Sequence, residues 1–141
     1  MAEAGDIDGP ALRRSDPDRY LSTLYAPLPL RGTLDVLYRF NAEIASIRDR
    51  IREPLPGEVR IQWWRDVLAA GRAAAGGYPL AEALHDVIGR HTLPLDAFDR
   101  YLEARIFDLY DDPMPSRADL EGYCGETASA VIQLAALMLE P

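Results

Sequence analysis

Three carboxylates are spaced for metal chemistry. Asp108, Asp111 and Asp112 stand at i, i+3 and i+4, so a helix lasting through them would put their oxygens on one face. Hard oxygen donors of this kind hold Mg²⁺ through carboxylate and water. The same triplet also reads as a solvated acidic helix end ahead of Pro113, since Asp at a helix C-terminus opposes the helix dipole. Both readings stand at this level.

A second candidate lies within residues 34–51. Leu34, Leu37, Tyr38, Ile44, Ile47 and Ile51 recur at three- and four-residue steps, the spacing of an apolar stripe on an α-helix. Asn41 interrupts that stripe, with Glu43 and Asp49 close by. An amide on an apolar face must be hydrogen-bonded or face a cavity. This helix therefore carries a polar pin in the core or lines a pocket, and Asn41 and Glu43 are expected to face one cavity together. Trp63 and Trp64 are adjacent, and helix neighbours point about 100° apart. One belongs to the core and the other to a neighbouring element or the rim of a cleft. His85 and His91 lack a metal-ligand spacing, and the single Cys124 rules out a Cys-based zinc site and an internal disulfide.

The elements that must position these residues are all helical. Residues 1–15 hold few apolar side chains and read as a flexible terminus. Asp16 and Pro17 open a first helix as N-cap and first helical residue. The organising helix is expected from about Leu30 to Arg52, ended by the Pro54–Gly57 turn. A third helix follows over 58–71, with Val59, Ile61 or Gln62, Trp63, Val67 and Ala70 as its face. A fourth ends near Gly89, and a fifth runs from Leu93 toward Pro113. Ser116 caps the last, with Asp119 three residues on. From Ala128 that last helix is apolar nearly all round, which in a water-soluble fold demands burial on every side. The expectation is a chain that pairs with a copy of itself or with another chain, burying Leu134 and Leu137 or Met138. No strand pattern competes, so the fold class is an all-α helical bundle.

Composition narrows the function. The chain of 141 residues carries a net charge of -8, and all 15 of its basic residues are arginine. An acidic chain without clustered cations is no general nucleic-acid binder. No stretch of eighteen or more apolar residues is present to span a bilayer, so membrane contact is peripheral at most. The acidic start lacks the positive and apolar regions of a signal peptide, and no transit peptide is seen. These features suggest a cytoplasmic protein.

Five strings add a resemblance: DPDRY at 16–20, LYRFNAE at 37–43, EVRIQWWRD at 58–66, RIFDLYDDP at 105–113 and DLEGYC at 119–124. In this order they resemble the squalene/phytoene synthase family over residues 16–141, an incomplete helical domain corresponding to the first half of that family's isoprenoid synthase (trans-prenyltransferase) fold. They are most similar to the branch that holds a mitochondrial respiratory complex I assembly factor and its bacterial relatives. In a eukaryote that branch would place the chain in the mitochondrial matrix.

The resemblance implies a chemistry and also a departure from it. The family's enzymes condense two prenyl diphosphates head to head, with Mg²⁺ held by two aspartate motifs to neutralise the leaving diphosphate. The first motif is a pair of aspartates four residues apart, preceded by a phosphate-binding arginine. Aligned on Phe40, those positions fall on Ala45, Asp49 and Ala42. The two alanines can neither ligate Mg²⁺ nor pair with phosphate. Tyr123 matches the family's pocket tyrosine and joins Asn41, Glu43, Trp63 and Trp64 as expected pocket residues. Asp49, Asp108, Asp111 and Asp112 are the remaining candidate metal ligands. Two functions stay open: a non-catalytic assembly or interaction protein, and a prenyl-diphosphate transferase using Mg²⁺ and completed by a second chain with the C-terminal family half.

Overall fold

The computed structural model describes residues 9–140, which form helices α1 (Gly9–Ser15), α2 (Pro17–Thr23), α3 (Leu28–Ala45), α4 (Ile47–Arg50), α5 (Pro54–Ala70), α6 (Pro79–His91), α7 (Leu95–Arg105), α8 (Arg117–Cys124) and α9 (Ala130–Leu139). Short 3₁₀ turns follow α5 (Arg72–Ala75) and α7 (Ile106–Leu109), and a π-helical turn, Gly125–Ser129, joins α8 to α9. Among the described residues there is no strand, as the sequence pattern requires.

The N-terminal expectation is corrected in part. Residues 1–8 lie outside the described residues, but Gly9–Ser15 is helical and Leu12 is fully buried. Burial of Leu12 as α1 packs against α2 and α3 contributes about 1.5–3 kcal/mol toward holding this turn in place. The next boundary follows the sequence closely. The Asp16 side chain accepts a hydrogen bond from the Arg19 backbone N–H at 3.2 Å, and Pro17 occupies the first turn of α2.

Helix α3 is the hub. Its buried residues Leu34, Val36, Leu37, Phe40, Asn41 and Ile44 cover more than one face, because α1, α2, α6, α7 and α9 all pack against it. At its centre the Phe40 ring meets Trp64 at 5.0 Å, Tyr101 at 5.5 Å and Phe98 at 5.8 Å between centroids. Tilted and edge-on pairs of this kind are favourable beyond the area they bury. The helix stops earlier than expected, at Ala45. Ser46 turns there, its Oγ donating to the Glu43 carbonyl at 2.8 Å, and α4 continues as a separate piece.

Pro54 opens α5 where the sequence suggested a stop. Proline in a first turn loses no hydrogen bond that the helix would have made, so Pro54 and Pro56 start the helix. Its buried face is Ile61, Trp64, Val67 and Leu68, while Val59 stays exposed. That face is rotated from the expected one. Gly57 is fixed by a close approach: a Cβ there would lie 2.8 Å from a Leu109 methyl. The Leu109 side chain thereby docks the turn after α7 onto the start of α5.

Candidate functional site

Asn41 and Glu43 sit on the same helix but two residues, or about 200°, apart. They therefore face different neighbours. The structure places both against polar partners, in two clusters on opposite flanks of α3, and not in the single cavity the sequence suggested.

Glu43 anchors the first cluster. Its Oε2 accepts from the Trp64 indole Nε1–H at 3.0 Å and from the Arg60 guanidinium at 3.2 Å, and the Tyr78 hydroxyl donates to Oε1. Arg60 and Trp64 come one turn apart on α5, and Tyr78 immediately precedes α6. The carboxylate thus ties three helices together and uses three of its roughly four acceptor positions. The Arg60 guanidinium lies 4.6 Å from the Trp63 ring centroid and 5.3 Å from that of Tyr78, within cation–π range. Burial, followed by the hydrogen bond to Glu43, pushes the Tyr78 pKa up to about 12. Trp64 is the core tryptophan and Trp63 the half-buried one, packed on Tyr78 at 5.6 Å. Outside the carboxylate lies a concavity of about 350 Å³ lined by Arg39, Ala42, Glu43, Ser46, Arg50 and Tyr78.

Asn41 anchors the second cluster, from inside the core. Its Oδ1 accepts from the Tyr101 hydroxyl at 2.6 Å and from Arg105 at 3.3 Å. Arg105 also reaches Asp108 at 2.9 Å and the Tyr123 oxygen at 3.2 Å, and the Tyr123 hydroxyl donates to Asp108. Burial works to lower the Arg105 pKa, but its partners Tyr101, Asp108 and Tyr123 outweigh it and hold the guanidinium above its ordinary value. Tyr101, fully enclosed, is pushed up to about 12 by burial. Burial and then the hydrogen bond to Asp108 raise Tyr123 as well.

The acidic triplet does not assemble. Helix α7 ends at Arg105, and the backbone becomes extended at Tyr110. Asp108 is drawn inward to Arg105, whereas Asp111 and Asp112 are exposed, Asp111 lying 3.7 Å from Arg48. Asp49 stands exposed on α4. Four residues that complete the clusters escaped the sequence reading: Arg60, Tyr78, Tyr101 and Arg105. Only Arg105 carried a local signal, as a cation three residues before Asp108 at the end of an apolar helix face.

The squalene/phytoene synthase family model matches residues 12–141. The chain belongs to the squalene/phytoene synthase family. Among curated proteins it is similar to NADH dehydrogenase (ubiquinone) complex I, assembly factor 6 of Rattus norvegicus, at 29% identity over 124 residues. The Homo sapiens protein of the same name is 27% identical over 124 residues. In each case the match covers 87% of this chain but only 37% of the relative, so the chain spans little more than a third of their length. No solved structure matches it.

Membership of the family raises the question of Mg²⁺, and the donor set answers it. Ala42 and Ala45 offer no oxygen ligand, Asp49 is isolated on the surface, and Asp108 is engaged by Arg105 and Tyr123. Among the described residues no group of three or more His, Cys, Asp or Glu side chains is placed to hold a metal. Mg²⁺ takes near-ideal octahedral oxygen coordination, keeping several waters and anchored by carboxylates beside substrate phosphates, and of the family's aspartate pair only Asp49 remains. The residues present do not fit it.

Proposed function

We propose that this chain is a non-catalytic member of the squalene/phytoene synthase family that acts through protein contacts, in the assembly of a respiratory complex I as the names of its relatives suggest. One observation carries the reading. Around the positions where the family's enzymes would gather charge for Mg²⁺ and diphosphate stand Ala42 and Ala45, while the neighbouring Glu43 is already engaged by Arg60, Trp64 and Tyr78. Losing two charge-assisted contacts of about 1.5–3 kcal/mol each weakens a diphosphate by an order of magnitude or more.

The protein partner we assign to α9 is the remainder of the family fold, in the same polypeptide or in a second one. Leu134 and Met138, expected at that contact, are already buried by the chain's own core, whereas Ile132, Leu137 and Leu139 face outward at 66%, 45% and 45% exposure. The relatives' extra length is the material that would cover them. Sedimentation of the chain alone and with that remainder tests this; a heterocomplex lost on Ile132→Glu is expected, and a self-dimer would assign the face to a second copy instead.

No helix of the described residues is long and apolar enough to cross a membrane. On the assembly reading, which rests on the relatives' names, the site of action is the aqueous side of the membrane where complex I is built: the cytoplasm of a bacterium, or the matrix of a mitochondrion. The decisive experiment pairs deletion of the gene with titration calorimetry. Loss of assembled complex I on native gels, with no Mg²⁺-dependent binding of farnesyl or geranylgeranyl diphosphate at micromolar concentration, is the expected result. Micromolar, Mg²⁺-dependent binding would instead make the chain part of a prenyl-diphosphate transferase.

A further inference from the structure

A groove of about 330 Å³ runs between α7 and α8, away from Ala42 and Ala45. Its floor is apolar: Ala104, Phe107, Met114, Pro115 and the ring of Tyr123. Its rim is acidic, with Glu103 on one side and Asp119 and Glu126 on the other, and no arginine lines it although the chain carries 15 basic residues. Two of the rim carboxylates already have an ion pair, Glu103 with Arg65 and Glu126 with Arg100. Each of these bonds uses one oxygen, Oε2, and leaves the other available to a ligand.

The floor is also held in place. Tyr123 packs on Phe107 at 5.9 Å between ring centroids, and its hydroxyl is tied to Asp108 and Arg105, hence to Asn41 in the core. A preformed groove spares a ligand the cost of ordering it. Gly122, on the α8 wall, has nothing within 4 Å of where a Cβ would be. The wall is therefore open to side chains from outside.

We propose that this groove is a docking site for a basic amphipathic segment of a partner protein, which seats one or two apolar side chains on the Phe107–Tyr123 floor and aligns Arg or Lys with Glu103, Asp119 and Glu126. The volume matches the small end of ligand pockets, about 300–1,000 Å³, and so suits single anchoring side chains. An apolar floor with a one-signed rim is the pattern that gives anchoring energy at the centre and register at the edge. A neutral or acidic segment would leave Asp119 without a cation and Glu103 and Glu126 with only the arginine each already has. The site goes beyond the assembly reading and rests on the groove's own geometry, so either can fail without the other.

The test uses the full chain and three fluorescein-labelled dodecapeptides: one with Leu at helical i, i+4 and i+7 spacing among Arg, one with the same Leu among Glu, and one with Arg but Ala for Leu. Fluorescence anisotropy should show the Leu/Arg peptide bound about tenfold or more tightly than either control. Gly122→Phe should weaken it by about tenfold by filling the groove, and Asp119→Asn by about threefold through the lost charge. Gly122→Ala, which adds a methyl to open space, should leave binding unchanged and show that helix α8 tolerates substitution there. Circular dichroism of Gly122→Phe should match the wild type and its melt should be no lower, since a Cβ at this helical position lies in open space and replacing a helical glycine favours the helix. Equal binding of the Ala/Arg peptide would reduce the interaction to bulk charge and overturn the proposal. So would undiminished binding to a folded Gly122→Phe variant.

Discussion

The two flanks of α3 solve one problem in opposite ways. On the α5–α6 side an acceptor with negative charge, Glu43, is satisfied by Arg60, Trp64 and Tyr78, all brought from other elements. On the α7–α8 side the acceptor from α3 is neutral, Asn41, and the charge sits on Arg105, which carries its own counter-ion Asp108 three residues along. Removing one member should have unequal consequences. The first cluster depends on a single carboxylate, whereas the second distributes its hydrogen bonds over five side chains. Buried polar networks are costly when partly broken, so the less redundant one should be the more fragile.

The largest effect should come from Glu43→Ala, which leaves the buried Trp64 indole N–H and the Tyr78 hydroxyl without their acceptor. A loss of about 3 kcal/mol is expected, less than a fully enclosed ion pair would give because Arg60 is one-third exposed and can rehydrate. Chemical denaturation monitored by tryptophan fluorescence measures it, and a cost no greater than that of Asn41→Leu would break the contrast between the flanks.

Alkaline pH comes next. Tyr101 and Tyr78 have pKa values pushed up to about 12 in the folded chain, against an ordinary value of about 10. Between those limits the unfolded chain has lost these protons and the folded chain keeps them, so the stabilisation is complete below about pH 10 and disappears toward pH 12. For the enclosed Tyr101 this amounts to about 2–3 kcal/mol. Urea melts at pH 9, 10.5 and 11.5 should show the decline, and Tyr101→Phe should remove a larger share of it than Tyr78→Phe.

Asn41→Leu should cost about 2 kcal/mol, since Arg105 keeps Asp108 and Tyr123 when the amide is lost. Tyr123→Phe is expected to be mildest, at about 1 kcal/mol, because Asp108 retains Arg105 and the position is only half-buried. Thermal melts of the two variants rank them, and a Tyr123→Phe cost above that of Asn41→Leu would show that the hydroxyl, not the amide, organises this flank.

Much of the architecture was legible because helix period and caps are local. The apolar steps from Leu34 to Ile44 marked the hub, and Asp16 and Ser116 marked two starts, each accepting the backbone N–H three residues on. Pro54 was misread because proline is equally at home after one helix and in the first turn of the next. The rotation of α5 was hidden by its paired tryptophans, either of which could have led the buried face. The split of Asn41 and Glu43 into two clusters could be argued from their 200° separation, but their partners could not be named: Glu43 meets residues 17, 21 and 35 positions away, which no spacing rule connects. The acidic triplet failed for a physical reason too. Arg105 offers Asp108 a part-buried ion pair, which the exposed Asp111 and Asp112 cannot match.

The wide turn at Gly125–Ser129 links the two halves of the last helical stretch, and Thr127 secures it by donating to the Tyr123 carbonyl at 2.7 Å. Its consequence is one of gearing. A π turn holds one more residue than an α turn, which offsets everything downstream by about 100° relative to Tyr123. With that extra tooth in place, Tyr123 engages Arg105 while Val131, Leu134, Ala135 and Met138 mesh with the core. A single-residue deletion inside the turn would slip the gear, turning Ile132 and Leu139 inward and Leu134 and Met138 out. In this segment the reading frame of the helix, as much as its composition, decides which side chains the surface presents.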